Sequence, residues 1–218
     1  MTTLNYDTLV ESAITSINLR DQDNHHVNFQ DTYAMRLRFA EDRWNERRYS
    51  RYDQVKTFKL CKLHGSLSWF RNQSSQDPPM DVETGKDSFN QSERHSWAQI
   101  LDRGVGLDGP LLIPPTLVKS DQYENALVRA NWRQAYAGLD NASAIYVLGY
   151  SFPTGDSQMA ALLGTTCRDK QIVIVDLDPS VNDRVSEACR GGRFNSIGMF
   201  TNEGAAPMAE FATGLLGT

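Results

Sequence analysis

The stretch AIYVL at residues 144–148 and the stretch QIVIV at residues 171–175 decide the fold, because both are short, continuous apolar runs. Strands without polar residues on either face are typical of sheets that are buried on both sides. Further apolar runs and helical patterns alternate with these two, with strands predicted at 111–113 and 194–200 and helices at 121–139, 156–168 and 180–190. This alternation predicts an α/β fold with a parallel sheet and right-handed crossovers.

The first half of the chain has a less regular pattern. Apolar residues at helical spacing predict a first helix from Asp7, through Leu9, Val10, Ala13, Ile14 and Ile17. The same period from Tyr33 to Trp44 predicts a second, charged helix, and residues 58–63 predict a short strand. The sequence after this strand is polar and contains a Pro-Pro pair, which predicts a long loop over 71–95 within an insert or lid at about 71–110.

Composition excludes several classes of protein. The chain has 218 residues, of which 40% are hydrophobic, and we predict one globular domain over residues 1–218. Twenty-seven acidic against 22 basic residues give a net charge of −5, which does not favour nucleic acid as a partner. The sequence has no run of about 18 apolar residues, and its three cysteines form no C-x-x-C pair. The residues MTTLNYD at 1–7 have neither the positive nor the apolar region of a leader peptide, so none is expected from them. We therefore expect a cytoplasmic protein without a membrane span or a metal.

Polar residues follow three of the predicted strands. Ligands of parallel α/β sheets collect beyond the carboxyl ends of the strands, so these positions are candidate sites. They are His64-Gly65-Ser66, Gly149-Tyr150-Ser151 and Asp176-Leu177-Asp178.

His64 is the candidate general base, since an imidazole at a strand end can accept a proton near neutral pH. The alternative is a buried, hydrogen-bonded histidine with a structural role. Gly65 fits the first interpretation, because the missing side chain lets a ligand approach the backbone.

Two further candidate sites have ordinary structural explanations. Asn5 and Asp7 point to the same side of an extended segment, but Asp7 could also cap the first helix. The segment from Gly149 through Ser151 to Asp156 leads from a strand into a helix that Asp156 caps. Free N–H groups and the Ser151 hydroxyl there could contact a ligand, and a plain strand-to-helix turn explains the segment almost as well.

Asp176 follows the 171–175 strand, and a carboxylate there can accept both hydroxyls of an adenosine ribose while repelling a 2′-phosphate. That arrangement would select NAD over NADP. Asp176 is equally explained as a turn residue before Pro179.

Three other patterns favour structural roles. The sequence GVGLDG at 104–109 has the spacing of a dinucleotide fingerprint, but it precedes a strand instead of a helix, and we interpret it as a connection. Six arginines between Arg36 and Arg51 favour a solvated helix face over a phosphate site. The four tryptophans favour core positions over a stacking platform: Trp44, Trp69, Trp97 and Trp132.

Four motifs in one order resemble the sirtuin-like domain of bacterial proteins. They are TLNYD at 3–7, KLHGS at 62–66, IPP at 113–115 followed by Lys119, and GYSFP at 149–153 continuing to Asp156. The resemblance runs to about Asp178. It implies a Rossmann-like, DHS-type parallel sheet flanked by helices, with NAD+ as the substrate whose nicotinamide–ribose bond is broken.

The resemblance also implies roles for individual residues. His64 would be the general base, Asn5 would position water or the ribose, and Asp7 would hold the carboxamide or the ribose edge. The residues expected to bind NAD are Thr3, Gly65, Ser66, Gly149, Ser151, Asp156 and Asp176. An oxocarbenium-like transition state profits from oxygen dipoles and a positioned base, so no metal is expected.

Two departures from the family pattern refine the expected function. No cysteine lies between Cys61 and Cys167, so the four-cysteine zinc module of deacylase sirtuins is expected to be absent. That favours an NAD+ hydrolase of an antiphage defence system over a protein deacylase. The family's first strand and Gly-rich turn precede the TLNYD motif, so we expect an N-terminally truncated domain. Such a domain could bind NAD weakly, require a homo-oligomer or second chain, or be a catalytically impaired module that binds a nucleotide or partner.

Overall fold

The structure is a computed structural model, and it describes residues 1–7, 9–20, 32–33, 38–39, 58–72, 81–82, 107–113, 125–189, 195–199 and 211–214. The described residues form helices and short parallel and antiparallel strands of an α/β fold. The chain divides into two compact units, Met1–Ala135 and Tyr136–Thr218.

The first unit contains one strand pair that begins at the N-terminus. Strand β1 (Thr2–Thr3) pairs in parallel with β3 (Cys61–Lys62), and helix α1 (Leu9–Arg20) follows β1. The strand predicted at 58–63 is therefore present in a shorter form, with Leu60 joined to Tyr33 by an isolated bridge.

A second sheet of the first unit is mainly antiparallel. Its strands are β2 (Arg38–Phe39), β4 (Gly65–Asn72), β5 (Asp81–Val82) and β6 (Leu107–Leu112), in the order β2-β5-β4-β6. The strand predicted at 111–113 thus belongs to β6 and pairs antiparallel with β4, so the expectation of a parallel partner was wrong. The interpretation of GVGLDG at 104–109 as a connection was wrong at residues 107–109, which belong to β6.

Two predictions are corrected by this sheet. The helix predicted from Tyr33 to Trp44 was wrong at Arg38 and Phe39, which pair with β5, because strand pairing outweighs local helical periodicity. The loop predicted over 71–95 was wrong at residues 71–72 and 81–82, which belong to β4 and β5. Apart from Tyr33, the remaining residues of both segments lie outside the described residues, as does most of the arginine-rich stretch.

The β4 strand was missed because its polarity is inverted. Ser66 and Ser68 are buried, whereas Leu67 between them is 40% exposed. The usual alternation places the apolar residue inside, so the sequence did not indicate a strand. Trp69, in the same strand, belongs to the core of the first unit with Leu60, Leu111, Ile113, Leu127 and Val128.

The α1 helix turns a different face inward from the one predicted. Ile14 is buried as expected, but Leu9 and Ala13 are exposed. Glu11 is fully buried in their place. The reason is a set of long-range partners for Glu11, described below, which helical periodicity cannot reveal.

The second unit contains the parallel sheet that the sequence predicts. After helix α2 (Ala126–Asp140), the chain forms β7 (Ala144–Leu148), α3 (Ser157–Thr166), β8 (Gln171–Val175), α4 (Ser180–Ala188) and β9 (Asn195–Met199). Strands β7, β8 and β9 are parallel neighbours in this order. Ile172 and Ile174 of β8 pack with Leu163 of α3 and Val181 and Val185 of α4.

The helices are short. The longest helix among the described residues, α2, has 15 residues, whereas a helix needs about 20 to cross the hydrocarbon core of a bilayer. Within the described part of the chain, no helix combines the length and the apolar character needed to cross a membrane.

Candidate functional site

The β1–β3 pairing brings residues 5–7, the NYD segment, beside residues 63–66, the histidine turn. The Thr3 carbonyl accepts a hydrogen bond from Leu63 N at 3.0 Å, and the Tyr6 carbonyl accepts one from Leu67 N at 2.9 Å. Residues 3–7 therefore run alongside residues 63–67, although about 60 positions separate them in the sequence. Of the predicted site residues, Thr3, Asn5, Asp7, His64, Gly65 and Ser66 are brought together here.

His64 lies in a turn that neighbouring main-chain bonds fix. The His64 carbonyl accepts a hydrogen bond from Ile113 N at 2.9 Å. The Leu63 carbonyl accepts one from Trp132 Nε1 of α2 at 3.2 Å. The side chain of His64 is largely buried, at 7% exposure. Because the carbonyls of Leu63 and His64 are both hydrogen-bonded, the backbone of the turn is restrained, and this favours a single orientation of the His64 side chain.

Gly65 allows β6 to approach this turn. Its φ is +85°, and a Cβ at this position would lie 2.0 Å from the Leu111 carbonyl oxygen. The missing side chain is therefore required by the neighbouring strand. Contact between Gly65 and a ligand stays a prediction.

Tyr6 is a neighbour of His64 that the sequence analysis did not single out. Its ring centroid lies 6.2 Å from that of His64, with 32° between the planes. The Tyr6 hydroxyl donates to the Ile113 carbonyl, and burial raises the pKa of this hydroxyl. The sequence feature that could have indicated Tyr6 as a site residue is its position between Asn5 and Asp7 in the TLNYD motif.

The two polar residues beside Tyr6 differ in their surroundings. Asn5 is exposed, and its main-chain N–H donates to Thr3 Oγ1 at 3.1 Å. Asp7 is half-buried, and its Oδ1 accepts from Leu9 N at 3.1 Å. The capping interpretation of Asp7 is thus confirmed, and Asn5 has the more accessible side chain of the two.

Ser66 is fully buried beneath the same segment. Its Oγ lies 3.0 Å from Ser68 Oγ and 3.5 Å from the Tyr6 carbonyl oxygen. Its hydroxyl is therefore used within the protein, and contact with NAD stays a prediction.

A buried ionic network lies beneath the NYD segment. Lys62 Nζ and Tyr33 Oη donate to Glu11 Oε1 at 2.8 Å and 2.9 Å. The Lys62 ammonium also donates to the main-chain carbonyl of Asp7. The side chains of Lys62 and Glu11 are each 1% exposed. Burial first, and the Glu11 charge second, raise the pKa of Tyr33. No role was predicted for Lys62 beyond its place in the KLHGS motif, and none was predicted for Glu11.

In the second unit, the predicted loop after β7 adopts a strained conformation. Gly149 has φ +57°, and Phe152, which is buried, has φ +52°, a region that non-glycine residues rarely occupy. Asp156 caps α3 by accepting from Met159 N, which confirms the capping prediction. Tyr150 Oη donates to Asp156 Oδ2 at 2.8 Å, and burial, followed by Asp156, raises the pKa of Tyr150.

The turn after β8 is held by carboxylates and one arginine. Asp176 Oδ1 accepts from Asp178 N at 2.9 Å, which makes Asp176 a turn residue, half-buried. Arg184 of α4 donates from Nη2 to Asp178 Oδ2 and from Nε to the Ser151 carbonyl, each at 2.7 Å. Arg184 thereby joins the two predicted loops of this unit, and nothing in the sequence indicated it.

Several residues named in the sequence analysis lie outside the described residues: Pro114, Pro115 and Lys119 of the third sirtuin-like motif, and Trp44 and Trp97. Trp69 is a core residue as predicted, and Trp132 packs against the same core. Residues 1–7, 9–20 and the other described ranges contain no cluster of three His, Cys, Asp or Glu side chains suited to a metal.

Comparisons with protein-family models, with curated proteins and with solved structures give no match for this chain.

Proposed function

We propose that the chain is a sirtuin-like NAD+ hydrolase that cleaves the nicotinamide–ribose bond. One observation carries the proposal: the main-chain amides of Leu63 and Leu67 donate hydrogen bonds to the carbonyls of Thr3 and Tyr6, which holds the NYD segment beside the histidine turn. The segments that carry the imidazole of His64 and the exposed amide of Asn5 thus run side by side, although they are far apart in the sequence. The motif resemblance supplies the substrate class.

The chemistry requires little beyond these groups. When the bond breaks, nicotinamide leaves with the bonding electron pair and positive charge develops on the ribose. Asn5, which is exposed, orients water or the ribose through its amide dipole. His64 accepts the proton that the attacking water loses. Asp7 contributes negative charge near the segment through the carboxylate that also caps α1.

The second unit fits a Rossmann-like nucleotide-binding half-domain. Its β7-α3-β8-α4-β9 order gives three parallel strands with the loops after β7 and β8 at their carboxyl ends. We propose Gly149, Ser151 and Asp156 as nucleotide contacts and Asp176 as the partner of the adenosine ribose. Consumption of NAD+ in phage defence is the setting that the resemblance suggests.

The test is release of free nicotinamide from NAD+, followed by chromatography. The wild-type chain is expected to release nicotinamide, and His64→Ala is expected to release at least about 100-fold less, in the range for loss of a general base. Gln134→Ala, which changes an exposed residue of α2, serves as the matched control and is expected to retain activity. Equal release by wild type and His64→Ala would overturn the proposal.

A second candidate function is a binding module that has lost catalysis. The observation that favours it is the burial of the histidine turn, where His64 is 7% exposed and Ser66 is fully buried. Under this alternative, the chain releases no nicotinamide in the chromatographic assay. Native mass spectrometry is then expected to find a stable chain, alone or as an oligomer. A complex with intact NAD+ would define it as a nucleotide-binding module, and its absence would point to a protein partner.

A further inference from the structure

The Lys62 ammonium has two kinds of partner. It forms an ion pair with Glu11 Oε1 at 2.8 Å, and it donates to the main-chain carbonyl of Asp7. The first contact joins β3 to α1, and the second joins β3 to the NYD segment. Tyr33 Oη donates to the same Glu11 oxygen.

The burial of this network is costly, and apolar packing could replace its contribution to stability. Removing two charges from water carries a desolvation penalty that their mutual attraction often only offsets, and apolar residues of similar volume commonly restore or improve stability. Both side chains are 1% exposed, so this reasoning applies in full. Stability alone therefore does not explain why an ion pair stands at this position.

The contact with Asp7 has a separate consequence, because it acts on a main-chain atom between Asn5 and α1. The Tyr6 carbonyl is bonded to Leu67 N on one side of this point, and Asp7 Oδ1 caps α1 on the other. A third bond, from Lys62, fixes the carbonyl between them. Lys62 also lies two residues before His64. Its side chain therefore connects the segment that contains His64 to the NYD segment, which contains Asn5.

We propose that Lys62 is a positioning residue: with Glu11 and Tyr33 holding its ammonium, it sets the NYD segment relative to the His64 turn. The inference rests on the proposed hydrolase activity and names a residue that acts on the rate through Asp7 and Asn5. Lys62 touches no reacting atom in this account.

Two variants separate positioning from stability. The triple variant Lys62→Met/Glu11→Leu/Tyr33→Phe replaces the whole network with apolar groups and removes the bond to Asp7. Glu11→Gln breaks the ion pair but keeps an oxygen acceptor for Lys62 and leaves the bond to Asp7. Lys170→Met is the matched control, since the Lys170 ammonium also donates to main-chain carbonyls, those of Leu139 and Asp140, in the second unit.

Four quantities are measured on each chain: the urea midpoint of unfolding, kcat and KM for nicotinamide release, and the hydrogen exchange rate of the Leu67 amide. We expect the triple variant to unfold near the wild-type midpoint, with kcat lowered about 10- to 100-fold and KM changed little. Its Leu67 amide is expected to exchange at least about tenfold faster. Glu11→Gln is expected to lose stability and keep kcat within a few fold, and Lys170→Met is expected to keep kcat.

A triple variant with wild-type kcat would overturn the inference, as would an unchanged Leu67 exchange rate. If the triple variant does not fold, Lys62→Met and Glu11→Gln are compared directly, since both lose the ion pair and only the first loses the bond to Asp7; equal kcat values would then overturn it. If the wild-type chain releases no nicotinamide, the proposed hydrolase function fails, and Leu67 exchange alone decides whether Lys62 fixes the segment.

Discussion

The rings of Tyr6 and His64 lie side by side, with 6.2 Å between their centroids and 32° between their planes. Tyr6 reaches this position because its hydroxyl donates to the Ile113 carbonyl, while Ile113 N donates to the His64 carbonyl. Ile113 therefore connects the two aromatic residues through its main chain. An imidazole packed against a fixed ring has few rotamers available, which favours one catalytic orientation.

Tyr6→Phe tests whether the hydroxyl of Tyr6 contributes to this arrangement. The variant keeps the ring beside His64 but leaves the Ile113 carbonyl without its donor. Loss of one partly buried hydrogen bond costs about 1–2 kcal/mol of unfolding free energy. We expect nicotinamide release to fall several fold with little change in KM. A variant with wild-type stability in urea would contradict the role given to the hydroxyl.

Gly65→Ala is expected to destabilise the first unit strongly. The added Cβ would lie 2.0 Å from the Leu111 carbonyl oxygen, and the φ of +85° is unfavourable for alanine. Overpacking and backbone strain together predict a loss of about 2–4 kcal/mol in the free energy of unfolding.

Gly155→Ala is the matched control for this substitution, because nothing lies within 4 Å of its added Cβ. Its effect is expected to stay within about 1 kcal/mol in either direction. Equal urea midpoints for the two alanine variants would contradict the close approach of β6 to the histidine turn.

Asp178 predicts a pH dependence of stability. Hydrogen bonds from Ser180, followed by the one from Arg184, lower the pKa of Asp178 to about 2. A carboxyl with a lowered pKa in the folded state stabilises it above the unfolded pKa of about 3.9, and this contribution is lost as the pH falls toward 2. We therefore expect wild type to exceed Asp178→Asn in urea midpoint at pH 5 and the difference to shrink by pH 2. A difference that grows on acidification would contradict the assignment.

Asp176→Asn tests the proposed choice of NAD over NADP. The carboxylate repels a 2′-phosphate, and an amide does not, so the variant should bind NADP+ better relative to NAD+. Isothermal titration with each nucleotide measures the ratio of the two affinities, which we expect to shift toward NADP+ by about tenfold or more. Asp183→Asn, at an exposed position of α4, is the control and should leave the ratio unchanged. An unchanged ratio in Asp176→Asn would remove Asp176 from the proposed site.

The second unit could be predicted well from the sequence. The strands at Ala144–Leu148 and Gln171–Val175 have the predicted bounds, and Asp156 caps α3 as expected. These elements are determined locally, by continuous apolar runs and by a capping residue at the start of a helix. Arg184 was missed because its partners lie 33 and 6 positions away along the chain.

The first unit could be predicted only in part, because its key contacts are long-range. Glu11 occupies a helix position that periodicity assigns to solvent, and its burial is explained by its bonds to Tyr33 and Lys62, which lie 22 and 51 positions later. Ser66 and Ser68 likewise reverse the alternation of β4, and Ser66 contacts the carbonyl of Tyr6, which lies 60 positions earlier. The sequence motifs did identify the two segments that meet, but not the bonds that join them.

The most direct measurement of the central claim is a time course with NAD+ in 18O-labelled water, analysed by mass spectrometry. The account predicts that the wild-type chain forms nicotinamide and ADP-ribose in equal amounts, that each ADP-ribose carries one 18O atom on its terminal ribose, and that both products nearly vanish in Asn5→Ala and His64→Ala. Intact NAD+ in the wild-type reaction, or equal product from wild type and His64→Ala, would contradict it.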